Sequence, residues 1–171
     1  MKINSILDFA YTHSVNKVMQ PDQHIFEFYS NIDKNKLGIL VCHKSELKIR
    51  PDYDGMVLAI DFIETRNKNQ GWGTRILEFA RNYSRKIGCN GFMMLKADGS
   101  KTPKRIPHIF YRKFGFSTLE SNTDKELDRF IKKGENATIK DFPCLLMHFP
   151  AQDKKPTFLE RILLQLLNRI K

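Results

Sequence analysis

The stretch Lys68-Asn69-Gln70-Gly71-Trp72-Gly73-Thr74 lies between an apolar run, Met56 to Ile63, and a segment in which Ile76, Leu77, Phe79, Ala80 and Tyr83 recur at helical spacing. It reads as a turn from a strand into a helix. Glycine at such a turn lets the backbone come close to a ligand. The first amides of the new helix have no partners inside it and sit at the positive end of its dipole. Such a helix end favours an anion, and phosphate suits it best. The segment is not a P-loop, because Thr74-Arg75 follows the last glycine where a lysine and a hydroxyl residue are needed. Nor is it a dinucleotide-binding turn, because position 76 is isoleucine where a third glycine is needed. Taken alone, so short a pattern also fits a glycine turn with no ligand.

A second segment, His108-Ile109-Phe110-Tyr111-Arg112-Lys113-Phe114-Gly115-Phe116, follows about 40 residues later, room for a helix, a strand and a loop. Together the two segments resemble the Gcn5-related N-acetyltransferase superfamily, whose members move an acyl group from acyl-coenzyme A to an amine. That family carries (Arg/Gln)-x-x-Gly-x-(Gly/Ala) after its fourth strand. Gly71 and Gly73 match it, and Lys68 stands where Arg or Gln is usual. The family's Phe-Tyr-x-x-x-Gly-Phe ending is matched by Phe110, Tyr111, Gly115 and Phe116. Either motif alone is a weak signal; the two in this order and spacing are specific. The resemblance covers residues 55–118, is thinner over 36–54 and 141–149, and is absent from both ends.

The resemblance implies an α/β (α+β) fold: a mixed, mostly antiparallel central sheet with a splayed parallel pair and flanking helices. It implies acetyl-CoA as the cofactor and an amine as the acceptor. In the family the fourth strand splays from the fifth and exposes backbone groups that hold the thioester. Here the strand's end is Phe62 and Ile63, and the Ile63 N–H is the candidate for polarising the thioester carbonyl. The amides of Gln70, Gly71, Trp72, Gly73 and Thr74 would take the pyrophosphate, with added charge from Lys68. Tyr111 matches the tyrosine that in many members donates a proton to the coenzyme A sulfur. A phenol with an ordinary pKa near 10 is protonated at neutral pH and can do this; a core aromatic beside Phe110 and Phe114 is the other reading.

Some family members use a glutamate on the fourth strand as base, but Val57 stands there. Asp61 is an acid inside an apolar run, which needs a partner or a task. Period-two alternation puts it on the same face as Val57 and Ile63, with Glu64 on the opposite one. His108 precedes Tyr111 by one helical turn, and histidine titrates near neutrality. A hydrogen-bonded structural role competes with catalysis for each, and members that deprotonate the amine through water need no dedicated base. Lys104 and Pro107 replace the asparagine and alanine often found upstream of the tyrosine. The 98–107 loop is therefore expected to be specialised, with Lys104 and its basic neighbours holding the 3′-phosphate or attracting an acidic acceptor.

A chain of 171 residues, 41% hydrophobic and 28% charged, fits one globular domain. No apolar run reaches the length of a membrane span, and the N-terminus does not read as a signal peptide. Cys42, Cys89 and Cys144 are odd in number, and no CxxC suggests a metal. They read as reduced, mostly buried thiols of a cytoplasmic protein. The net charge of +10 favours anionic partners: coenzyme A, tRNA, an acidic protein or anionic lipid. The acceptor stays open between a protein amine, a small molecule and an aminoacyl-tRNA. Two other classes compete: a non-catalytic coenzyme A-binding regulatory module, and a nucleic-acid-binding protein, for which no RNA-binding motif speaks.

Along the chain, Ser5 to Met19 is expected as a helix, and His24–Tyr29, Leu37–Cys42, Leu47–Arg50 and Met56–Glu64 as strands. A helix from Gly71 to Ile87 is expected to stop at Gly88. The strand Gly91–Ala97, the helix Pro107–Lys113, the strand Gly115–Thr118, the helix Thr123–Lys133 and the strand Pro143–Phe149 follow. Residues 1–150 form the expected acyltransferase domain, and 151–171 a linker and basic amphipathic helix. Thr157 and Glu160 make a capping box for that helix. Its stripe of Phe158, Leu159, Ile162, Leu163, Leu166, Leu167 and Ile170 would pack on the domain, on a second copy in a homodimer, on a partner or on a membrane surface.

Overall fold

The computed structural model describes residues 9–18, 21–46, 55–66, 70–99, 107–134, 142 and 144–149. In chain order the elements are β1 (Phe9–Asn16), β2 (Gln23–Ser30), β3 (Lys36–Ser45), β4 (Val57–Thr65), α1 (Trp72–Lys86), β5 (Met93–Asp98), α2 (Pro107–Phe114), β6 (Ser117–Thr118), α3 (Ser121–Lys133) and β7 (Cys144–Phe149). The strands form one seven-stranded sheet in the order β1-β2-β3-β4-β5-β7-β6. Every neighbouring pair is antiparallel except β4 with β5. This is the mixed, mostly antiparallel architecture that the resemblance implied. No described helix is long and apolar enough to cross a membrane.

The first element corrects the sequence reading. Where a helix from Ser5 to Met19 was expected, residues 9–16 form a strand that pairs along its whole length with β2, Phe9 opposite Ser30 through Asn16 opposite Gln23. The large side chains Phe9, Tyr11 and His13 recur at every second residue, which suits a pleated surface and would scatter around a helix. They meet Phe26 and Phe28 of β2 on the same face: the Phe9 and Phe28 rings lie edge to face at 5.1 Å, and His13 stacks on Phe26 at 4.4 Å. The expected 47–50 strand, most of the 98–107 loop and the whole of 151–171 lie outside the described residues.

The helix α1 lies across β3, β4 and the β1–β2 hairpin. It buries Ile76, Leu77, Phe79 and Ala80, and Phe79 packs edge-on against Tyr11 at 4.8 Å and Phe26 at 4.9 Å. Rings of this size supply much of a core's apolar burial, and their edge-to-face contacts add to it. The helix ends as expected, with Gly88 beyond it in the left-handed region at φ 83°. On the far side of the sheet's centre, Arg112 of α2 joins three elements. Its Nε and Nη2 donate to the two Asp128 carboxylate oxygens of α3 at 2.8 and 2.9 Å, and its Nη1 donates to Ser117 Oγ of β6 at 2.8 Å. This fork geometry is one that lysine cannot reproduce.

Close approach of α1 to the sheet depends on Gly38. A Cβ there would overlap the Glu64 carbonyl oxygen and stand 2.7 Å from Ile76 Cδ1. Gly38→Ala is expected to destabilise the protein by about 1–3 kcal/mol through overpacking. Urea unfolding measures this, and an unchanged midpoint would show that the β3–α1 contact yields freely.

Candidate functional site

The parallel ladder between β4 and β5 is only three residues long: Leu58 with Met93, Ala59 with Met94 and Ile60 with Leu95. Beyond Ile60, β4 continues with β3 as far as Thr65, while β5 continues with β7 as far as Asp98. The two strands part company and leave one edge of β4 unpaired by β5. At the same point β4 carries one extra residue. Cys42 of β3 opposes Ile60 and Val41 opposes Phe62, so Asp61 has no opposite number. Such a bulge breaks the alternation of faces.

The bulge corrects the expected parity. Directly paired residues share a face. Gly38, Leu40 and Cys42 face α1, and so do their β4 partners Thr65, Ile63 and Ile60. Val41 and Ile39 lie on the other face with Phe62 and Glu64. Asp61 is bonded to side chains of that other face, so it lies with Val57 and Ala59 as alternation from Val57 expects; the bulge instead brings Ile63 to the α1 face and Glu64 to the face of Asp61. The choice of Ile63 as the strand-end backbone group gains support by a different route. The Leu58 amide donates to the Phe92 carbonyl at 3.0 Å, so β4 residues facing α1 turn their backbone groups toward β5. Ile63 has the same orientation and lies where β5 has already turned away. Phe62 turns its side chain to the opposite face, where it is 42% exposed.

The bend before α1 is open. Gly71 caps the helix in the left-handed region at φ 77°, with no side-chain hydrogen bond to the cap and no acidic residue in the first turn. Among the described residues, a Cβ on Gly71 would meet nothing within 4 Å. Gly73 has a different reason: a Cβ there would stand 2.9 Å from Phe110 Cζ, so this glycine admits a side chain of α2. Trp72 turns inward, its ring 6.3 Å from that of Phe9. Its indole N–H donates to Gln70 Oε1 at 3.2 Å, and the Arg75 guanidinium lies 4.8 Å over the ring. Gln70 and Thr74 are exposed. Lys68 and Lys104 lie outside the described residues.

A groove of about 420 Å³ begins at this bend and runs between α1 and α2, lined by Thr74, Glu78, Arg81, Phe110, Lys113, Phe114 and Phe149. Thr74, Glu78 and Arg81 are one stripe of α1 at helical spacing, and Phe110, Lys113 and Phe114 one stripe of α2. Arg81 also covers the Phe149 ring at 5.1 Å. The sequence reading missed Arg81 and Lys113 as site residues. The signal was available in the stripe that begins at Thr74, but the partner helix could not be assigned from one chain.

Tyr111 sits in α2 with 8% exposure, its ring 5.3 Å from Phe110 and 5.7 Å from Phe116. Burial pushes its phenol up to about 12, so it holds its proton across the neutral range. His108 is fully buried, and neither ring nitrogen has a hydrogen-bond partner among the described residues. Desolvation depresses its pKa; the Ala97 carbonyl and the Asp98 charge oppose this only in part, the former without reaching hydrogen-bond geometry. The sequence offered His108 as a base, but the structure gives it no exposed surface through which to exchange a proton. Asp61, by contrast, is partly exposed and accepts from His43 Nδ1 at 2.9 Å and from Gln23 Nε2 at 3.0 Å. His43 and Gln23 were not anticipated, because only the β2–β3–β4 register brings them to Asp61. Cys42 and Cys89 are buried and Cys144 is exposed, all three free. Burial pushes the Cys42 thiol up to about 12.

No protein-family model matches this sequence, and no curated protein matches it. Similar solved structures include Arabidopsis thaliana Naa50 in complex with a bisubstrate analogue, CoA-Ac-MVNAL, at 16% identity and a TM-score of 0.45 over 72% of this chain and 70% of that one. AtaTR bound with AcCoA is similar at 15% identity and a TM-score of 0.42, over 64% and 74% of the two chains. A structure described as histone acetyltransferase HPA2 and related acetyltransferase from Corynebacterium glutamicum is similar at 14% identity and a TM-score of 0.43, over 78% and 67%. Likeness at this level adds no weight to any residue assignment.

A buried histidine with a depressed pKa favours the folded state only while it is neutral. That stabilisation is present above its unfolded value of 6.5 and is lost as pH falls through 6.5 toward the lower folded value. Burial, His24 and Lys86 shift His13 in the same direction, so the effect of His108 is read as a difference. His108→Leu is expected to lose less stability than the wild type on acidification from about pH 7.5 to about pH 5.5. Parallel urea titrations at the two pH values measure it, and equal losses would clear His108.

Proposed function

We propose that this protein is an N-acetyltransferase that carries an acetyl group from acetyl-CoA to an amine. The observation that carries this reading is the end of β4–β5 pairing at Ile60, on the chain segment that leads directly into the uncapped N-terminus of α1. An unpaired strand edge can hydrogen-bond an extended amide-containing arm, and the helix end beside it suits a pyrophosphate. The backbone of Ile63 takes the thioester end, with its N–H directed at the carbonyl oxygen where negative charge develops; Phe62 turns its backbone to β3 and offers only its side chain on the other face. The amides of Gln70, Gly71, Trp72, Gly73 and Thr74 take the pyrophosphate, and Lys68 adds charge. Arg81 and Lys113 make the α1–α2 groove suitable for the remaining phosphate of the nucleotide, a task open also to Lys104. Tyr111 supplies a proton to the departing sulfur. Residues 1–150 form the catalytic unit of this proposal, acting in the cytoplasm, and 151–171 an appended segment.

Thr74, the third residue of α1, separates cofactor binding from helix stability. Thr74→Glu places a negative charge at the positive end of the helix, which stabilises a helix by about 0.3–1 kcal/mol. The same charge repels a pyrophosphate. The variant is expected to melt at the wild-type temperature or above it while acetyl-CoA affinity falls about tenfold or more, an energy of roughly 1.4 kcal/mol. Calorimetric titration and thermal unfolding read the two effects, and retained affinity would refute the cradle. Tyr111→Phe is expected to leave acetyl-CoA affinity within about twofold and to lower turnover with a panel of amines by about tenfold or more. An unchanged rate would remove the acid role.

A further inference from the structure

We infer that His43 is the base that takes a proton from the acceptor amine, held in place by Asp61 and Gln23; this rests on the acetyl-CoA reading above. Asp61 follows Ile60 and continues the alternation of Val57 and Ala59, so its carboxylate lies on the face opposite α1, beside the last residues of β4 that still pair with β5. There Asp61 Oδ2 accepts from His43 Nδ1 at 2.9 Å and from Gln23 Nε2 at 3.0 Å. An imidazole that donates through Nδ1 to a carboxylate presents Nε2 as the proton acceptor, and the carboxylate favours the imidazolium that forms. Gln23, on β2, fixes the carboxylate from the side away from β4. Three neighbouring strands thus each contribute one member, which makes the group far more rigid than a side chain on a loop.

The surroundings suit an incoming amine. Ile25, Ile39 and Val41 are half-buried on this face, and Phe62 is exposed. The described ionisable groups on this face of the sheet are Glu27 and Tyr29 of β2, Lys36 of β3, Glu64 of β4, Lys96 and Asp98 of β5, which offset each other in charge, and the buried His148 of β7. Glu27 is occupied by Lys36 and by the Tyr29 hydroxyl, which donates to it at 3.0 Å. Glu64 is exposed and adds negative charge on this face of a chain whose net charge is +10. A cationic acceptor is therefore drawn to this side of the sheet, where its ammonium loses one proton to His43 Nε2. The free amine attacks the thioester carbon, and the C–S bond breaks with its electron pair going to sulfur. The nitrogen then sheds its second proton, which the sulfur receives directly or through Tyr111. The third proton stays on the amide, and His43 returns its own to solvent. Asp61 acts through His43 and is a positioning residue in this scheme.

Water can replace the unknown amine as nucleophile, so the test uses acetyl-CoA alone and follows coenzyme A formation by chromatography. His43→Gln is expected to slow formation about 10²-fold or more, with acetyl-CoA affinity kept within about twofold and the fall in rate on the acid side of the pH profile flattened. Asp61→Asn is expected to lower the rate about tenfold, less than His43→Gln, with acetyl-CoA affinity kept within about twofold; this serves as the second variant should His43→Gln fold poorly. A purely structural role would leave the pH profile of every folded variant unchanged. A wild-type rate and profile in both variants overturns the relay. So does a wild-type protein that binds acetyl-CoA and never hydrolyses it. Absence of acetyl-CoA binding to the wild type overturns the acyltransferase reading itself, and the relay with it.

Discussion

The structure turns on the point where two parallel strands stop pairing. At Ile60 and Leu95 the β4–β5 ladder ends, and one residue later the bulge at Asp61 rotates β4 about its own axis. In a regular sheet the next backbone groups would be paired on both sides. Here the β5 side of Ile63 is left to solvent or to a ligand, and an open backbone group tolerates that only where something polar can reach it. Asp61 stays on the opposite face with Ala59, and the rotation brings Ile63 round to the α1 side. A single inserted residue therefore addresses both faces of the sheet, backbone on one and carboxylate on the other. Its cost is local, because β3 keeps its own pairing with β2 throughout the bulged stretch.

The ionisable groups near this point narrow the chemistry. Cys42 pairs with Ile60 and is the thiol nearest the break, yet burial keeps it protonated with a pKa near 12. A thiol in that state is a poor nucleophile, so acyl transfer through Cys42 is disfavoured and direct attack by the acceptor is the simpler course. Tyr111, with its phenol also raised to about 12, stays protonated at neutral pH and keeps an O–H to offer the departing sulfur. His108 is buried without hydrogen-bond partners among the described residues and His43 is bonded to a carboxylate at the surface; of the two histidines, only the latter has the accessibility that proton exchange demands.

Much of the architecture was legible in the sequence, because the signals were local. The apolar run before Gly71, the helical spacing after it and the glycine beyond Ile87 fixed β4, α1 and its end almost to the residue. The first strand was misread because Ile6, Phe9, Ala10 and Val18 suggested a helix, while the alternation of Phe9, Tyr11 and His13 was the stronger pattern. The candidate site was legible only in part. Gly71 and Tyr111 could be singled out by motif, but the environment of Asp61 could not. Counting by twos from Val57 places Asp61 but fails for Ile63 and Glu64 beyond the bulge, and nothing in one chain announces a bulge. Likewise, His43 and Gln23 lie 18 and 38 residues from Asp61 and meet it only through strand register. Gly73 carried a double meaning that motif reading compressed into one: it belongs to the loop signature, yet its missing side chain makes space for Phe110.

That last contact has a mechanical consequence. Phe110 presses on the first turn of α1, and the next residue along α2 is Tyr111. The spacing between the helix end and the phenol is thereby held by touching atoms, not by the intervening strand and loop. A side chain at position 73 would therefore disturb both ends of that span at once, the helix end and the phenol.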